Sequence, residues 1–376
     1  MKRLLLVGGG HAHVEVLRRF ALEPEPGIAL TLLSPHRYTP YSGMLPGLVA
    51  RHYRFEDAHI DLEPLAARAQ ATFVAARATA LDAAAHRVAC DDGTTVAFDV
   101  CSLDIGSTPD ASASGAREHA VAVKPVDRFL ERWQAEIERS KSKTRALERV
   151  AVVGGGAGGL EMLLAMQHAA HVGLAAANAL DQMPEFHLLT DTGTILPTHS
   201  PAARQRLARV LDTRGVVVHT DTKVVRVDAG SLHAANGNVV VADFIVWATS
   251  AAAAPWVRAS GLAVDDRGFM CVDANLESTS HPDIFGAGDI ASLVGTKLPK
   301  SGVFAVRKGP FLAHNLRAAL RGEPRQPFVT TPTALSLITT GDKSAVMSWH
   351  GLSISGPLVW RWKDWIDRRF MAKYRS

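Results

Sequence analysis

Two glycine-rich segments, one near the start of the 376-residue chain and one near its middle, have the clearest chemical meaning. In the first, VGGGHAHVEVL, Gly8 and Gly10 stand where an apolar run turns into a helical pattern. The first glycine permits a tight turn, and the second lets a diphosphate approach the backbone N–H groups at the positive end of a helix. His13 occupies the third position, where glycine normally allows close helix–strand packing. We therefore expect this helix to sit slightly differently.

The second segment, VAVVGGGAGGLE, has all three glycines of the pattern, at Gly154, Gly156 and Gly159. Asp191 follows the next apolar run, in LLTDTG. A carboxylate there accepts hydrogen bonds from a ribose 2′-hydroxyl and repels a 2′-phosphate, so it predicts a preference for NAD over NADP. The first segment has Ser34 at the place of this acid, and a hydroxyl bonds a ribose with less discrimination.

Glu161 and a third glycine-rich segment are the remaining candidates for chemistry. Glu161 lies in the first turn of the predicted helix. Either it only complements the positive helix end, or it lies beside a nicotinamide ring. Position alone leaves both interpretations open. The third segment, FGAGDIASL, supplies Gly286, Gly288 and Asp289 ahead of a helical segment that begins at about Val303.

The composition narrows the class of protein. It is ordinary for a globular chain, with 47% hydrophobic and 21% charged residues. A net charge of +4, without a basic run interleaved with aromatic residues, does not indicate nucleic-acid binding. No apolar run of transmembrane length occurs, and the first strand leaves no room for a signal peptide. Three cysteines without a CxxC pair predict a cytoplasmic protein with no disulfide framework, and the scattered histidines predict no metal site.

Alternating strands and helices must position the glycine turns. Apolar runs at Leu4 to Val7 and Ile28 to Leu33 flank a helical pattern, and the same arrangement recurs at Val150 to Val153 and Phe186 to Leu189. This internal repeat predicts an α/β fold with two Rossmann-like dinucleotide-binding domains, the second inserted into the first, and a small C-terminal region. The predicted ranges are 1–123 and 263–330 for the two parts of the first domain, 124–262 for the inserted domain and 331–376 for the C-terminal region.

Together the three motifs resemble the pyridine nucleotide-disulfide oxidoreductase superfamily over roughly residues 1–330. In that superfamily an acid at the position of Asp289 bonds the FAD ribitol, and the next helix directs its positive N-terminus at the flavin pyrimidine edge. The segment from Lys300 stands there in this chain. Two segments, FDVCSLDIGS and ADFIVWATS, resemble the superfamily's hinge strands, although the usual ATG is DIG in the first and ATS in the second.

Within the superfamily, YTPYSGMLPG, PKSGVFAVRKGP and WRWKDWIDRRFM resemble the branch of type II NADH:quinone and sulfide:quinone oxidoreductases, in the subgroup associated with selenophosphate synthetase. The resemblance implies that FAD is the cofactor, that NAD(P)H is a substrate and that residues 41–46 line the flavin. The catalytic candidates are Glu161 and Lys124, the latter from family position alone. The cofactor-binding candidates are Gly8, Gly10, His11, Ala12, Ser34, Tyr41, Ser42, Gly43, Met44, Leu45, Pro46, Ala78, Gly106, Ser107, Gly154, Gly156, Gly159, Asp191, Thr249, Gly288, Asp289, Gly302, Val303 and Phe304.

The cysteines decide which chemistry of the superfamily is available. None lies between Tyr38 and Asp57, which excludes a dithiol reductase with paired cysteines beside the flavin, and Cys90, Cys101 and Cys271 are interpreted as structural thiols. We therefore predict that hydride passes from NAD(P)H, with NADH favoured, to FAD, and that electrons then pass to a quinone or other small acceptor. A selenium- or sulfur-linked oxidoreductase and a non-catalytic redox sensor stay open as alternatives.

The chain ends in a tryptophan-rich basic segment. Helical spacing places Trp362, Trp365, Ile366, Phe370 and Tyr374 on one stripe. Such a helix either lies in a membrane interface or packs on its own domain or a partner subunit. Contact with the cytoplasmic face of a membrane and a homodimer are both left open.

Overall fold

The computed structural model of the protein describes residues 1–109, 113–123, 126–141, 147–249, 251–331 and 333–375. The strands are, in chain order, β1 (Lys2–Val7), β2 (Ile28–Leu33), β3 (Tyr38–Pro40), β4 (His59–Asp61), β5 (Thr72–Val74), β6 (Ala78–Asp82), β7 (Arg87–Cys90), β8 (Thr95–Ala97), β9 (Val100–Leu103), β10 (Thr108–Pro109), β11 (Val121–Ala122), β12 (Arg149–Val153), β13 (Glu185–Leu189), β14 (Val217–His219), β15 (Val224–Asp228), β16 (Ser231–Ala234), β17 (Val239–Val241), β18 (Phe244–Trp247), β19 (Ala251–Ala252), β20 (Met270–Val272), β21 (Ile284–Gly286), β22 (Ala291–Leu293), β23 (Ser336–Thr339), β24 (Ala345–Ser348) and β25 (Ser355–Gly356). The α-helices are α1 (His11–Leu22), α2 (Leu45–Val49), α3 (Phe55–Ala58), α4 (Leu62–Arg68), α5 (Ala116–His119), α6 (Val126–Lys141), α7 (Ala157–Ala176), α8 (Pro201–Thr213), α9 (Pro255–Ala259), α10 (Gly302–Arg321) and α11 (Pro357–Arg375).

Two five-stranded parallel sheets carry the two complete strand–turn–helix units. The first sheet has the strand order β21-β9-β1-β2-β5 and the second the order β11-β18-β12-β13-β14. The strands before the turns, β1 and β12, are buried along their last four residues, as expected for strands covered on both faces. The predicted α/β fold with a repeated nucleotide-binding unit is confirmed.

Two long helices hold the glycine turns in place. On the first sheet, α1 lies against α10, and they approach so closely at Gly309 that a Cβ atom there would lie 2.7 Å from the Cβ atom of Glu15. On the second sheet, α7 packs on α2, α6 and β23 and is apolar on almost every side because it is buried on almost every side. Helix α10 begins one residue before the predicted Val303.

The chain passes between the two sheets at two places. Strand β11 pairs in parallel with β18 in the second sheet, and β10 pairs with β19 where the chain returns. These crossings lie near the predicted ends of the inserted domain, at 123/124 and 262/263. The predicted domain boundaries stay predictions.

The C-terminal region contacts both sheets. Ile338 and Val346, on β23 and β24, belong to the apolar core of the second sheet. Phe370 and Met371, on α11, belong to the core of the first. The last 40 or so residues therefore form part of the body of the protein, and they reach the region where the two nucleotide-binding units meet.

The single apolar stripe predicted for the last helix is wrong in part. Phe370 and Tyr374 face the core, where they line up with Lys363 and Asp367, whereas Trp362 and Trp365 are 41% and 55% exposed on the opposite face. The inner face of the helix can contain Lys363 and Asp367 because these two charges are paired with each other. The tryptophans lie on the outer face. Among the described residues, no helix has the length and apolar character needed to cross a membrane.

Candidate active site

The first glycine turn joins β1 to α1 and lies against the end of β9. The Gly8 N–H donates to Leu33 O at 2.8 Å, and Gly8 has φ +96°, a conformation that favours glycine. A Cβ atom at Gly8 would lie 2.4 Å from the main-chain oxygen of Asp104. The N–H of Gly10, the N-cap of α1, donates to the same oxygen at 3.1 Å. Glycine is therefore required at the first position by both conformation and space.

His13 takes the place of the third glycine and is fully buried. Its Nδ1 lies 2.7 Å from Gly8 O, so Nδ1 carries the proton and donates it to that carbonyl. Its Nε2, 2.8 Å from Ser102 Oγ, accepts from the hydroxyl. Burial lowers the pKa of His13 to about 4, so the ring is neutral at physiological pH. A bulky ring is accommodated here because it bonds the carbonyl of the first glycine.

Asp104 is buried directly over the N-terminus of α1. Its carboxylate accepts from the N–H groups of Ala12, at 2.8 Å, and of His13, at 3.1 Å. A Cβ atom at Gly10 would lie 2.2 Å from its Cγ. Burial raises the pKa of Asp104 to about 6, against the opposing effect of these two bonds. The sequence signal for this residue is the DIG that replaces ATG, which by itself indicates only a deviation from the superfamily pattern.

The third motif meets the first turn from the other side. Gly288, with φ +64°, packs on Asp104, since a Cβ atom there would lie 2.0 Å from Asp104 Oδ1. Ser107 Oγ donates to Asp289 Oδ2 at 3.2 Å, and Gly106 precedes it with φ +69°. The structure therefore brings together four of the predicted cofactor-binding residues, which lie about 180 positions apart in the sequence.

The second turn has the same backbone arrangement with smaller side chains. Gly154 has φ +130°, and a Cβ atom there would lie 2.3 Å from Ala248 O. A Cβ atom at Gly159 would lie 2.0 Å from Gly154 O, whereas one at Gly156 would meet nothing within 4 Å. Thr249 follows Ala248 at the same edge of the sheet. The space above this helix N-terminus is open.

The predicted ribose-binding residues lie at the ends of equivalent strands. Ser34, at the end of β2, is buried, and its hydroxyl donates to His36 O at 3.0 Å. Asp191 is exposed, one residue beyond Thr190 at the end of β13. Ala78 begins β6 and packs in the apolar cluster that contains the end of β2. Ser34 and Thr190, the residue before Asp191, contact the first and the second turn respectively, since Cβ atoms at Gly9 and Gly155 would lie 3.3 and 2.6 Å from their hydroxyl oxygens.

Residues 41–46 lie opposite the N-terminus of α10. A Cβ atom at Gly302 would lie 2.8 Å from Ser42 Oγ, so the loop and the helix end are in contact. The ring of Tyr41 stacks on Phe370 of α11 at a centroid distance of 4.5 Å. In the first turn of α10, Val303 is 41% exposed. Its neighbour Phe304 is buried.

Glu161 is bonded to the C-terminal region, which the sequence did not indicate. Its Oε1 accepts from the N–H and the hydroxyl of Thr339 at 2.8 and 3.0 Å. Burial raises the pKa of Glu161, and the Lys363 cation opposes that rise. Lys363 donates to Gly43 O and to Asp367 Oδ2, both at 2.5 Å. Glu161, the loop of residues 41–46 and α11 therefore meet at one place.

Sequence reasoning missed Thr339, Lys363 and Asp367. Oppositely charged residues four positions apart on a helix predict an ion pair, but such a pair is usually exposed to solvent. Here Lys363 and Asp367 are 7% and 4% exposed. Asp367 also accepts from the Tyr41 hydroxyl, and burial raises the pKa of Asp367. Buried charges that bond one another and a glycine carbonyl are typical of a functional site.

A crevice opens beside this meeting point. It is lined by His52, Tyr53, Thr339, Trp360 and Lys363, together with residues of α2. Its lining therefore combines aromatic rings with the Lys363 ammonium.

The remaining predicted residues lie elsewhere. Lys124 falls outside the described residues. Cys90 and Cys101 are buried, Cys271 is partly exposed on β20, and burial raises the pKa of both Cys101 and Cys271. None of the three lies on the loop of residues 41–46. Within the part of the chain that the structure describes, no cluster of three or more histidine, cysteine or acidic side chains has the arrangement of a metal site.

The residues present fit two bound dinucleotides. Each turn directs helix N–H groups toward the carboxyl edge of a parallel sheet, which is where such ligands bind in open α/β folds. The space next to Gly156 is open, so a ligand can approach the backbone there. At the first turn, Gly288, Asp289, Gly106 and Ser107 continue the polar surface from the helix end.

Comparison with known proteins agrees with this geometry. The family model described as pyridine nucleotide-disulphide oxidoreductase matches residues 2–315. Demethylphylloquinone reductase NdbB from Synechocystis sp. is 25% identical over 329 residues, covering 83% of this chain and 76% of its own length. A type II NADH:quinone oxidoreductase from Staphylococcus aureus is 24% identical over 396 residues, covering 99% of this chain and 96% of its own length.

Solved structures have the same fold over the whole chain. The sulfide:quinone oxidoreductase from Aquifex aeolicus superposes with a TM-score of 0.81 at 18% identity, covering 100% of this chain and 92% of its own. NDH2 from Plasmodium falciparum, in complex with NADH, gives a TM-score of 0.81 at 14% identity, covering 99% and 97%. The chain belongs to the pyridine nucleotide-disulphide oxidoreductase family, and it is an FAD-dependent oxidoreductase that takes electrons from a nicotinamide nucleotide.

Proposed function

We propose that this protein oxidises NADH and reduces a quinone, with FAD on the first glycine turn and NADH on the second. The observation that carries the proposal is the meeting of Glu161, the loop of residues 41–46 and Lys363 beside an aromatic crevice. These three come from distant parts of the chain. A reaction that uses both nucleotide-binding units and the C-terminal region would account for that meeting.

FAD is proposed to extend from the first turn to the loop of residues 41–46. Its diphosphate would lie at the N-terminus of α1, and Asp289 would bond the ribitol. The contact between Ser42 and Gly302 supports this placement because it puts the loop against the positive end of α10. Negative charge on the flavin's pyrimidine edge is stabilised by such a helix end.

NADH is proposed to bind with its diphosphate over Gly156 and its ribose at Asp191. The exposed carboxylate would accept from the 2′-hydroxyl and repel a 2′-phosphate, which favours NADH over NADPH. Glu161 then lies close to the nicotinamide end, held by Thr339. This placement corresponds to the second of the two interpretations of Glu161, the one beside a nicotinamide ring.

The proposed acceptor is a quinone in the crevice beside Lys363. The relatives named for quinone substrates, in Synechocystis and Staphylococcus aureus, match most or all of the chain. When bound, FAD supplies the two-electron chemistry that neither substrate can perform directly with the other. Lys363 would stabilise negative charge that develops on a quinone oxygen, and Asp367 and Gly43 O hold the ammonium in place.

Conversion of a quinone to a quinol takes up two electrons and two protons. NADH supplies a hydride, which carries both electrons and one proton, and the second proton comes from solvent. The Glu161 carboxyl is proposed to pass a proton toward the acceptor. The raised pKa of Glu161, which burial causes, makes its protonated form more accessible near neutral pH.

Rapid mixing tests the proposal. The purified protein should be yellow, NADH should bleach its flavin absorbance, and a soluble quinone should restore it. Lys363→Met should lower kcat/KM for the quinone by roughly 10²-fold or more while bleaching by NADH is less affected. Lys373→Met, on the exposed side of the same helix, is the matched control. Bleaching that quinone does not reverse would reject the acceptor, and no bleaching would favour the non-catalytic sensor.

A selenium- or sulfur-linked reaction is the alternative acceptor chemistry, and membership of the subgroup associated with selenophosphate synthetase stays a prediction. Such a reaction needs a sulfur carrier beside the flavin. Cys271 is the least buried of the three cysteines and lies on β20, within electrostatic reach of Lys300 but not on the loop of residues 41–46. Reoxidation of the reduced protein by polysulfide or selenite, lost in Cys271→Ser, would favour this alternative over the quinone.

The outer face of α11 is proposed to contact an anionic membrane surface, from which a lipid-soluble quinone would be drawn. Leu358, Trp362 and Trp365 are 76%, 41% and 55% exposed on this face, and Arg361 and Arg369 flank them. Leu358→Ser with Trp365→Ser should reduce co-sedimentation with anionic liposomes. Deleting the helix is not a clean test, because its inner face belongs to the core. Unchanged co-sedimentation would reject the contact.

A further inference from the structure

The first glycine turn already has an anion at the place where the second turn is open. The Asp104 carboxylate accepts from the N–H groups of Ala12 and His13. Its atoms lie 2.2–2.4 Å from the position that a Cβ atom of Gly10 would take. At the second turn, a Cβ atom of Gly156 would meet nothing within 4 Å. One of two otherwise matching phosphate sites therefore has a carboxylate in it.

Asp104 and Ala248 occupy equivalent positions in the two units. The Asp104 N–H donates to Val7 O at 2.9 Å, and the Ala248 N–H donates to Val153 O at 2.9 Å. The main-chain oxygen of each then faces the first glycine of its turn, at 2.4 and 2.3 Å from the Cβ position. The acid of the first turn thus replaces a methyl group of the second, and the backbone around it is unchanged.

We propose that binding of FAD to this chain is coupled to uptake of one proton by Asp104. This inference rests on the proposed placement of the FAD diphosphate at the first turn. An ionised Asp104 would repel the diphosphate and compete with it for the helix N–H groups. A protonated Asp104 instead donates its O–H to a phosphate oxygen. The balanced step is Asp104 carboxylate plus one proton plus FAD, giving the complex with a neutral acid.

The groups around Asp104 come from three elements. From α1, His13 is neutral and donates its N–H, and His11 favours the carboxylate by its charge when protonated. From α10, the buried Lys308 also favours the carboxylate. From the segment after β21, the charge of Asp289 opposes ionisation of Asp104. Burial raises the pKa of Asp104 to about 6, and the two negative charges of a diphosphate would raise it further.

The sign of the pH dependence follows from this coupling. Above the pKa that Asp104 has in the free protein, a proton must be taken up before FAD binds. The FAD dissociation constant should therefore rise with pH, by up to tenfold per pH unit, until the pKa in the complex is passed. Below about pH 6 the dependence should level off, because the acid is already neutral.

The FAD dissociation constant is measured from the release of FAD when the holoprotein is diluted, through the increase in fluorescence of free FAD at pH 5.5 to 9. The wild-type dissociation constant should rise with pH, and Asp104→Asn should bind FAD with little dependence on pH. Asparagine has nearly the same shape and can still accept from the Ala12 N–H. Asp212→Asn, an exposed acid at the end of α8, is the control for a general change of charge.

Proton uptake gives a second measurement. Titration of the deflavinated protein with FAD in weak buffer at pH 7.5 should consume close to one proton per FAD in the wild type and close to none in Asp104→Asn. The reciprocal variant Ala248→Asp should give NADH binding a pH dependence that it lacked. Equal pH dependence in wild type and Asp104→Asn would overturn the inference while leaving FAD binding intact. A protein that binds no FAD at any pH would reject the proposed function itself.

Discussion

The two glycine turns have the same backbone and different side chains. In both, the N–H of the first glycine donates at 2.8 Å to the last residue of the neighbouring strand, Leu33 or Leu189. In both, that glycine faces a main-chain oxygen, of Asp104 or Ala248. Four strands of each sheet also have the same order, β9-β1-β2-β5 and β18-β12-β13-β14, whereas the edge strand next to β9 comes late in the chain, as β21, and the one next to β18 comes early, as β11. The fold alone therefore does not distinguish the two sites.

The side chains make the first site a buried, titratable one and the second an open one. His13 and Asp104 replace a glycine and an alanine, and both are almost completely buried. The exposed Asp191 follows the second turn, whereas the corresponding position after the first turn is the uncharged Ser34. A buried site with fixed partners suits a cofactor that stays bound, whereas an open site suits a substrate that must leave after each turnover. The sequence departures from pattern at the first turn are thus the buried groups that surround it.

Adding a methyl group to the first glycine of each turn is the strongest test of the difference between the two sites. Gly8→Ala and Gly154→Ala each place a Cβ atom, at 2.4 and 2.3 Å, against a main-chain oxygen in a positive-φ conformation. Each substitution should lower the free energy of unfolding by about 1–3 kcal/mol through local backbone strain. We expect Gly8→Ala to be purified without flavin, and Gly154→Ala to be yellow but poorly bleached by NADH. Visible spectra and rapid mixing with NADH distinguish them, and a fully flavinated Gly8→Ala protein would contradict the proposed assignment of the turns.

His13 should make stability depend on pH through the first turn only. Its pKa is about 6.5 when unfolded and is lowered to about 4 by burial, so the unfolded chain binds a proton more readily. Stability from this group is complete above pH 6.5 and is lost as pH falls toward 4, by roughly 3 kcal/mol. Urea unfolding at pH 7.5 and 4.5 should show a larger loss in wild type than in His13→Asn. Parallel losses in the two proteins would count against a buried neutral ring.

Asp191 should control nucleotide choice at the second turn without affecting the first. Asp191→Ala removes a charged hydrogen-bond acceptor. We expect this to weaken the binding of NADH by about 1.5–3 kcal/mol, or to raise its KM by roughly 10- to 100-fold. NADPH should be used relatively better, because the repulsion of its phosphate is also removed. Steady-state kinetics with both nucleotides measures this, and flavin content is the internal control. An unchanged ratio of NADH to NADPH would exclude Asp191 as the ribose acid.

Ser34 should give the smallest effect. Ser34→Ala removes a neutral hydrogen bond to His36 O, worth about 0.5–1.5 kcal/mol, and we expect FAD affinity to fall by about tenfold at most. Thr190→Val, at the matching strand end of the second turn, should leave FAD release unchanged. The rate of FAD release by dilution compares the two. A large loss of flavin in Ser34→Ala would mean that this hydroxyl anchors the ribose more strongly than its single bond suggests.

Much of the fold could be predicted because it depends on neighbours in sequence. Strand β2 begins and ends at the predicted residues, and the glycines at both turns lie where an apolar run meets a helical pattern. The stripe predicted for the last helix is wrong in part, because Phe370 and Tyr374 face the core whereas Trp362 and Trp365 are exposed. The spacing of residues along a helix fixes which ones share a face, but it does not say which face meets the core.

The sequence by itself determined the two dinucleotide turns and the class of redox chemistry, because a strand, a glycine turn and a helix N-terminus are built from consecutive residues. Only the tertiary structure decided what surrounds them. Asp104 bonds an N–H group 92 positions away, and Glu161 bonds Thr339, 178 positions away. Such contacts depend on how whole sheets and helices pack. A carboxylate that is ordinary in the sequence has its pKa raised toward neutrality only when packing removes it from water, as it does for Asp104.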